Sequence, residues 1–170
     1  KVNAKYILRN EMSGKIITNY SPNFSSNTRN PKNIKFLIFH YTGMRSEKNA
    51  INKLIDEKSK VSSHYFIKRN GEIILMVPDL YIAWHAGVSK WKNFSSLNKY
   101  SMGIEISNRG HGNGYQRFTK KQIQSLIMLS KSIIKKYRLK KCNILGHSDI
   151  AYNRKKDPGE KFPWKLFSRY

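Results

Sequence analysis

The chain is poor in cysteine, in acidic residues and in long apolar runs, and each shortage excludes something. Cys142 is the single cysteine, so neither an intrachain disulfide framework nor a thiolate zinc cluster is available. Asp and Glu number 10 against 33 Lys and Arg, a formal charge of +23. So cationic a surface points to an anionic partner, whether nucleic acid, an anionic membrane or a carboxylate-rich polymer. No apolar stretch approaches the ~18–20 residues of a membrane span; the longest, such as Ile34 to Phe39, have the length of a strand. What is there suits one domain: 170 residues, 39% hydrophobic and 12% aromatic, enough for a continuous core and too ordered in composition for general disorder. The chain opens on Lys1 rather than Met, which is compatible with a removed leader or lipid anchor ahead of it.

Strand and helix signals alternate. Asn19 to Asn33, with Pro22, Pro31 and several Asn and Ser, reads as a loop. Ile34 to Tyr41 (IKFLIFHY) is an almost unbroken apolar run, the pattern of a strand buried on both faces. Ser46 can cap a helix carrying Ala50, Ile51, Leu54 and Ile55. His64 to Val77 reads as a hairpin around Asn70-Gly71. In the strand Tyr100 to Ser107, Met102, Ile104 and Ile106 alternate with Gly103, Glu105 and Ser107. The strongest helix runs from Lys120 to Arg138, opened by a Thr119/Gln122 capping box. Ile123, Leu126, Ile127, Ser130, Ile133, Ile134 and Tyr137 make one face of it. Asn143 to Gly146 is a short strand delivering His147, Cys142 beside it reads as a core residue, and Ser148 to Tyr170 is rich in loops. The predicted fold is α/β (α+β), a single domain with a central mixed sheet flanked by helices and no dividing linker.

Chemistry concentrates in five histidines and a tail segment. His40 closes its strand and His147 follows another; carboxyl ends of strands are where α/β proteins open onto clefts. Either ring alone could equally be a satisfied, buried imidazole. In AYNRKKDPGEKFPW, the Asp157-Pro158-Gly159 turn would by itself lie on the surface. Phe162, Pro163 and Trp164 are apolar anchors that could hold its carboxylate against the domain instead. Two imidazoles and one carboxylate form a zinc set with the fourth position open, the arrangement of catalytic sites. Asp149, two residues after His147, competes for the carboxylate role. Glu105, flanked by isoleucines, is either a salt-bridged structural residue or a general base whose pKa burial raises. Lys155 would share one side of an extended backbone with Asp157, or is one lysine among many. His111, in GHGNG, reads as a solvent-facing loop residue.

Five segments in order, IFHYTG, VSSHYFI, AWHAGVSKW, SMGIEISNRG and GHSDIAYNRKKDPGEKFPW, resemble the zinc-dependent N-acetylmuramoyl-L-alanine amidases of AmiD and AmpD type. That family is related in fold to phage amidase lysozymes and peptidoglycan recognition proteins. The resemblance covers about residues 34 to 165 and implies one catalytic domain over 1–170, with 1–33 as an N-terminal extension. By it, His40, His147 and Asp157 match the ligands of one Zn2+, the DPG context favouring Asp157 over Asp149. Glu105 and Lys155 match catalytic positions; Trp84, His85, His64, Asn108 and Arg109 match positions that line or support a substrate cleft. The implied reaction is hydrolysis of the amide between N-acetylmuramic acid, plain or 1,6-anhydro, and the L-alanine of the stem peptide. Peptidoglycan and muropeptides are the implied partners, with no specific nucleic acid and with peripheral or lipid-anchored membrane association left open. The implied compartment is the periplasm or cell envelope, with the cytoplasm as the AmpD-like alternative. The chain ends at FSRY, short of the C-terminal wall-binding module that some relatives carry. Two other classes stand beside this reading: a peptidoglycan-binding module without catalysis, and a basic nucleic-acid-binding protein, for which no motif is present.

Overall fold

The computed structural model describes residues 16–167. One mixed sheet comprises β1 (Ile16–Thr18), β2 (Phe36–Tyr41), β3 (Tyr65–Ile67), β4 (Ile73–Leu75), β5 (Ser101–Ile106) and β6 (Ile144–Gly146). Their spatial order is β1-β4-β3-β5-β2-β6. Within it the β3–β4 hairpin is antiparallel and the other four neighbouring pairs are parallel. The helices are α1 (Glu47–Ile55), α2 (Lys120–Tyr137) and the short α3 (His147–Ile150).

Strand β2 is apolar on both faces as far as Phe39 because both faces are covered, whereas β5 is apolar only on the face toward α2. On one side Leu37, Phe39, Met102, Ile104 and Ile106 pack against Leu126, Leu129 and Ile133 of α2. On the other, Phe36 and Ile38 meet Ala86, Leu97, Leu145 and Ile150, while Ala50 and Leu54 of α1 cover Phe66 and Ile74. Burying each such side chain is worth roughly 1.5–3 kcal/mol. The helix starts obey local chemistry. Ser46 Oγ accepts from the Asn49 N–H at 3.2 Å. In the capping box of α2, Thr119 Oγ1 accepts from the Gln122 N–H and Gln122 Oε1 from the Thr119 N–H, both at 3.0 Å. No helix among the described residues is long and apolar enough to cross a membrane.

Two expectations need correction. The segment before Ile34 is more than a loop: β1 extends the sheet, and Phe24–Ser25 pairs antiparallel with Ile82–Ala83. Buried polar side chains tie it down. Asn23 Nδ2 donates to the carbonyls of Asp56 and Val61 at 2.8 and 2.9 Å. The Arg29 guanidinium donates to those of Asp79, Asn98 and Ser101 at 2.9, 3.0 and 2.7 Å. The part of the expected extension before Ile16 lies outside the described residues. Cys142 is exposed, in a turn that ends before β6 begins.

Asp79 clamps α2 to the sheet. Its buried carboxylate accepts from Tyr65 OH at 2.8 Å, Tyr137 OH at 2.6 Å and Lys136 Nζ at 2.7 Å. Burial alone would raise its pKa, but the Lys136 ammonium and the two phenols outweigh burial and hold it below the ordinary value. Asp79→Ala is expected to lower the unfolding free energy by about 2–4 kcal/mol in urea titrations. A carboxylate whose folded pKa lies below its unfolded one, ~3.9, stabilises fully above about pH 5, and that stability is lost as pH falls through the folded pKa. The stability difference between wild type and variant should therefore shrink below about pH 4.

Candidate metal centre

The sheet register assembles the site. Across β2 and β5, His40 is the direct partner of Glu105, so both side chains leave the same face about 4.8 Å apart. Gly146 ends β6 opposite Phe39, and the next residue, His147, arrives beside His40. Gly146 is required here by a close approach. A Cβ on it would lie 2.6 Å from Pro158 Cδ, so the bare strand end admits the turn that carries Asp157. The anchors behind that turn hold as expected, with Phe162 and Trp164 ring centroids 4.9 and 6.0 Å from Phe39. The Ser148 N–H also donates to the Asp157 carbonyl at 2.9 Å.

His40 Nδ1, His147 Nδ1 and Asp157 Oδ2 form a closed, buried triangle with edges of 2.9, 3.1 and 3.1 Å. A tetrahedral zinc with bonds of about 2.0–2.1 Å separates its ligands by about 3.3 Å, so the triangle has the size of one face of that tetrahedron. Protonation agrees. His147 Nε2 lies 3.0 Å from the Ala86 carbonyl, which can only accept; Nε2 therefore carries the proton and Nδ1 offers a lone pair. Burial, reinforced by the neighbouring His147, lowers the His40 pKa to about 4 and keeps the ring neutral near pH 7. Burial pushes the Asp157 pKa up, but a proton held among the three groups by the His147 and His40 imidazoles outweighs it and keeps the group below its ordinary value, as carboxylate; a metal ion would take that proton's place. Two imidazole nitrogens and one charged oxygen, with no thiolate, suit zinc and leave a fourth direction open.

That direction faces a cleft of about 470 Å3, bounded by Tyr41, Lys53, Trp84, Glu105, Arg154 and Lys155 among others. Burial, with Asp157 nearby, raises the Glu105 pKa well above the ordinary value. Its buried Oε2 has no hydrogen-bond partner among the described residues, which distinguishes it from a salt-bridged structural glutamate. Lys155 and Asp157 both line this cleft, but so does Lys156 between them, so the lining does not follow a strict extended alternation.

Several expected cleft residues serve elsewhere. His64 is fully buried, its Nδ1 accepting from the Gly103 N–H and its Nε2 facing the Tyr81 carbonyl, both at 3.0 Å; it has no edge left for substrate. His85 forms part of the cleft wall, but its nitrogens meet His40 Nε2 at 2.9 Å and Ser101 Oγ at 3.1 Å. Asn108 is buried and shapes its own loop, donating to the Gln116 carbonyl at 2.8 Å and accepting from the Gly110 N–H at 3.1 Å. Arg109 is exposed and outside the cleft lining. Trp84 does line it. Asp149 is no ligand: its Oδ2 accepts from the Gly146 N–H at 2.7 Å and caps α3. His111 is exposed, as expected, but it also borders the cleft, held between Tyr41 OH at 3.0 Å and Glu160 at 2.8 Å with its ring stacked on Tyr115. Sequence reasoning missed Tyr41, Lys53 and Arg154. Arg154 was signalled only by its place next to Lys155, and Lys53 by nothing, being one more helix-surface lysine.

Fold and site together define a mixed α/β domain with three side chains at its strand ends, His40, His147 and Asp157, that could hold a metal ion. The N-acetylmuramoyl-L-alanine amidase family, Amidase_2, matches residues 30–160, and the chain belongs to that family. It is 41% identical over 148 residues to the amidase AmiD of Escherichia coli, covering 80% of this chain and 52% of that protein. To the 1,6-anhydro-N-acetylmuramyl-L-alanine amidase AmpD of Haemophilus influenzae it is 34% identical, covering 86% and 87%. The chain thus spans about half of AmiD and most of this AmpD. Among solved structures, AmiD from E. coli in complex with anhydro-N-acetylmuramic acid-L-Ala-D-gamma-Glu-L-Lys superposes with a TM-score of 0.74 at 36% identity, over 85% of this chain and 59% of that one. AmpDh3 from Pseudomonas aeruginosa with anhydromuramic pentapeptide gives 0.75 at 32% identity, over 87% and 64%.

If the triangle is the metal site, Asp157→Ala, which removes the one charged donor, weakens zinc binding by more than about 100-fold, the upper end of the loss from disturbing a supporting contact. Competition against a chromophoric chelator measures this. Asp149→Ala in the same assay should bind as wild type.

Proposed function

We propose that this domain hydrolyses the amide between N-acetylmuramic acid and the L-alanine of the peptidoglycan stem peptide, using one zinc ion held by His40, His147 and Asp157. The observation that carries the reading is the cross-strand pairing of Glu105 with His40, which sets a carboxylate, its Oε2 unpartnered among the described residues, one strand away from a three-donor cluster. Substrates with the 1,6-anhydro sugar are included because AmpD of H. influenzae is named for that form. AmiD of E. coli is solved with such a molecule. A wall-facing compartment, periplasm or cell envelope, belongs to the same proposal.

Bound there, zinc supplies Lewis acidity, polarising the scissile carbonyl and bringing the pKa of water toward ~7. The protein's own groups do the rest. Glu105 accepts a proton from the attacking water as its oxygen bonds to the carbonyl carbon. It then delivers that proton to the alanine nitrogen as the C–N bond breaks. A carboxylate with a raised pKa is suited to both halves, since it holds a proton firmly enough to carry it and releases it to an amine. Lys155 presents an ammonium to the carbonyl oxygen as negative charge develops there. The products are the lactyl carboxylate and the free amino terminus of the peptide.

Mass spectrometry of digests of intact and anhydro muropeptides tests this. Wild type should release free stem peptide. Glu105→Gln should slow release by about 10²–10⁴-fold and Lys155→Met by about 10²–10³-fold. Retention of glycopeptide without release of peptide would instead identify a binding module, and full activity of Glu105→Gln would refute the assigned base.

A further inference from the structure

We propose that His85 and Ser101 form a positioning relay that fixes His40 in the one tautomer able to bind a metal, so that the dipeptide His85-Ala86 orients both histidine ligands. The proposal rests on the metal-centre reading above and extends it to residues that touch neither metal nor substrate amide.

Hydrogen-bond direction carries the argument. Ser101 Oγ lies 2.6 Å from the Leu97 carbonyl, which can only accept, so the single hydroxyl proton of Ser101 points there. Facing His85 Nε2 at 3.1 Å, the same oxygen must then accept, which puts the His85 proton on Nε2 and a lone pair on Nδ1. His40 Nε2 is 2.9 Å from that Nδ1 and must donate to it. The His40 proton is thereby held on Nε2, and Nδ1 turns a lone pair toward His147 Nδ1 and Asp157 Oδ2. The next residue along performs the same service for the second ligand, because the Ala86 carbonyl accepts from His147 Nε2–H at 3.0 Å. Two adjacent residues thus bind the outer nitrogens of both imidazoles.

The surroundings hold this relay in place. The backbone N–H groups of His85 and Ala86 both donate to Asn98 Oδ1, at 3.0 and 2.7 Å. Arg29 Nη1 donates to the Ser101 carbonyl at 2.7 Å. Under the His85 ring the sheet has no side chain: a Cβ on Gly103 would come within 2.5 Å of His85 Cγ. A glycine in the middle of a buried strand weakens it, and here it makes room for the ring that orients His40.

The test combines zinc affinity, by competition with a chromophoric chelator, with long-range 1H–15N spectra of the histidine rings in metal-free protein. In wild type the spectra should show His40 protonated at Nε2. His85→Leu, which removes the acceptor, should weaken zinc binding about 10–100-fold and leave His40 in mixed tautomers. His85→Asn, whose side-chain carbonyl can still accept, should recover most of the affinity. Ser101→Ala keeps the ring and removes its fixed direction, so its spectra should show mixed tautomers at both His85 and His40. Recovery by His85→Asn separates orientation from mere packing. Should His85→Leu not fold, the Ser101→Ala spectra decide. Zinc binding by folded His85→Leu as tight as wild type, or a wild-type His40 protonated at Nδ1, would overturn the relay alone. A wild-type protein that takes up no zinc would overturn the metal-centre reading itself.

Discussion

Three donor atoms, brought within 2.9–3.1 Å of one another in a buried cluster, repel unless a cation, a proton or a metal ion, lies among them. The domain spends folding free energy to impose that arrangement. β2 and β6 carry the imidazoles from inside the sheet, and the Asp157 turn is pressed onto the end of β6 by the aromatic anchors on Phe39. Such a cluster makes the folded state responsive to metal, because whatever binds the assembled donors and not the unfolded chain stabilises the fold.

The two faces of the sheet divide the work. Toward α2 the residues of β2 and β5 are large and apolar, and the layer is closed by Leu126, Leu129 and Ile133. Toward the cleft the same strands present His40, Gly103 and Glu105, residues that contribute little apolar burial and determine the chemistry. The apolar burial of the first face supports the polar groups of the second, and the period-2 alternation of the strand is what keeps them apart. Around the cleft Lys53, Arg154 and Lys155 bring cationic groups to a domain already rich in them. This favours approach by an anionic polymer and makes that approach weaken with salt.

Much of this is legible in the sequence where the determinant is local. The run IKFLIFH specifies a strand buried on both faces, and Thr119 with Gln122 marks the start of α2. The alternation around Gly103 and Glu105 places that glutamate opposite the apolar face. The candidate ligands are legible from strand ends and the DPG turn, although the choice between Asp157 and Asp149 turns on the bond from the Gly146 N–H that occupies Asp149. What stays hidden is partner-dependent. His64 and His85 look alike in sequence context, yet one is closed off by Gly103 and Tyr81 while the other reaches His40. Arg29 and Asn23 lie in a stretch with the composition of a loop, and their burial comes from carbonyls 33 to 72 residues further along the chain. Periodicity records apolar burial and is silent about polar burial.

X-ray absorption at the zinc edge of the zinc-loaded protein addresses the central claim most directly. The account predicts a shell of nitrogen and oxygen donors near ~2.0–2.1 Å with two imidazole signatures and no sulfur, one imidazole signature disappearing in His147→Ala. A sulfur contribution near ~2.3 Å, or a spectrum unchanged by that substitution, would contradict it.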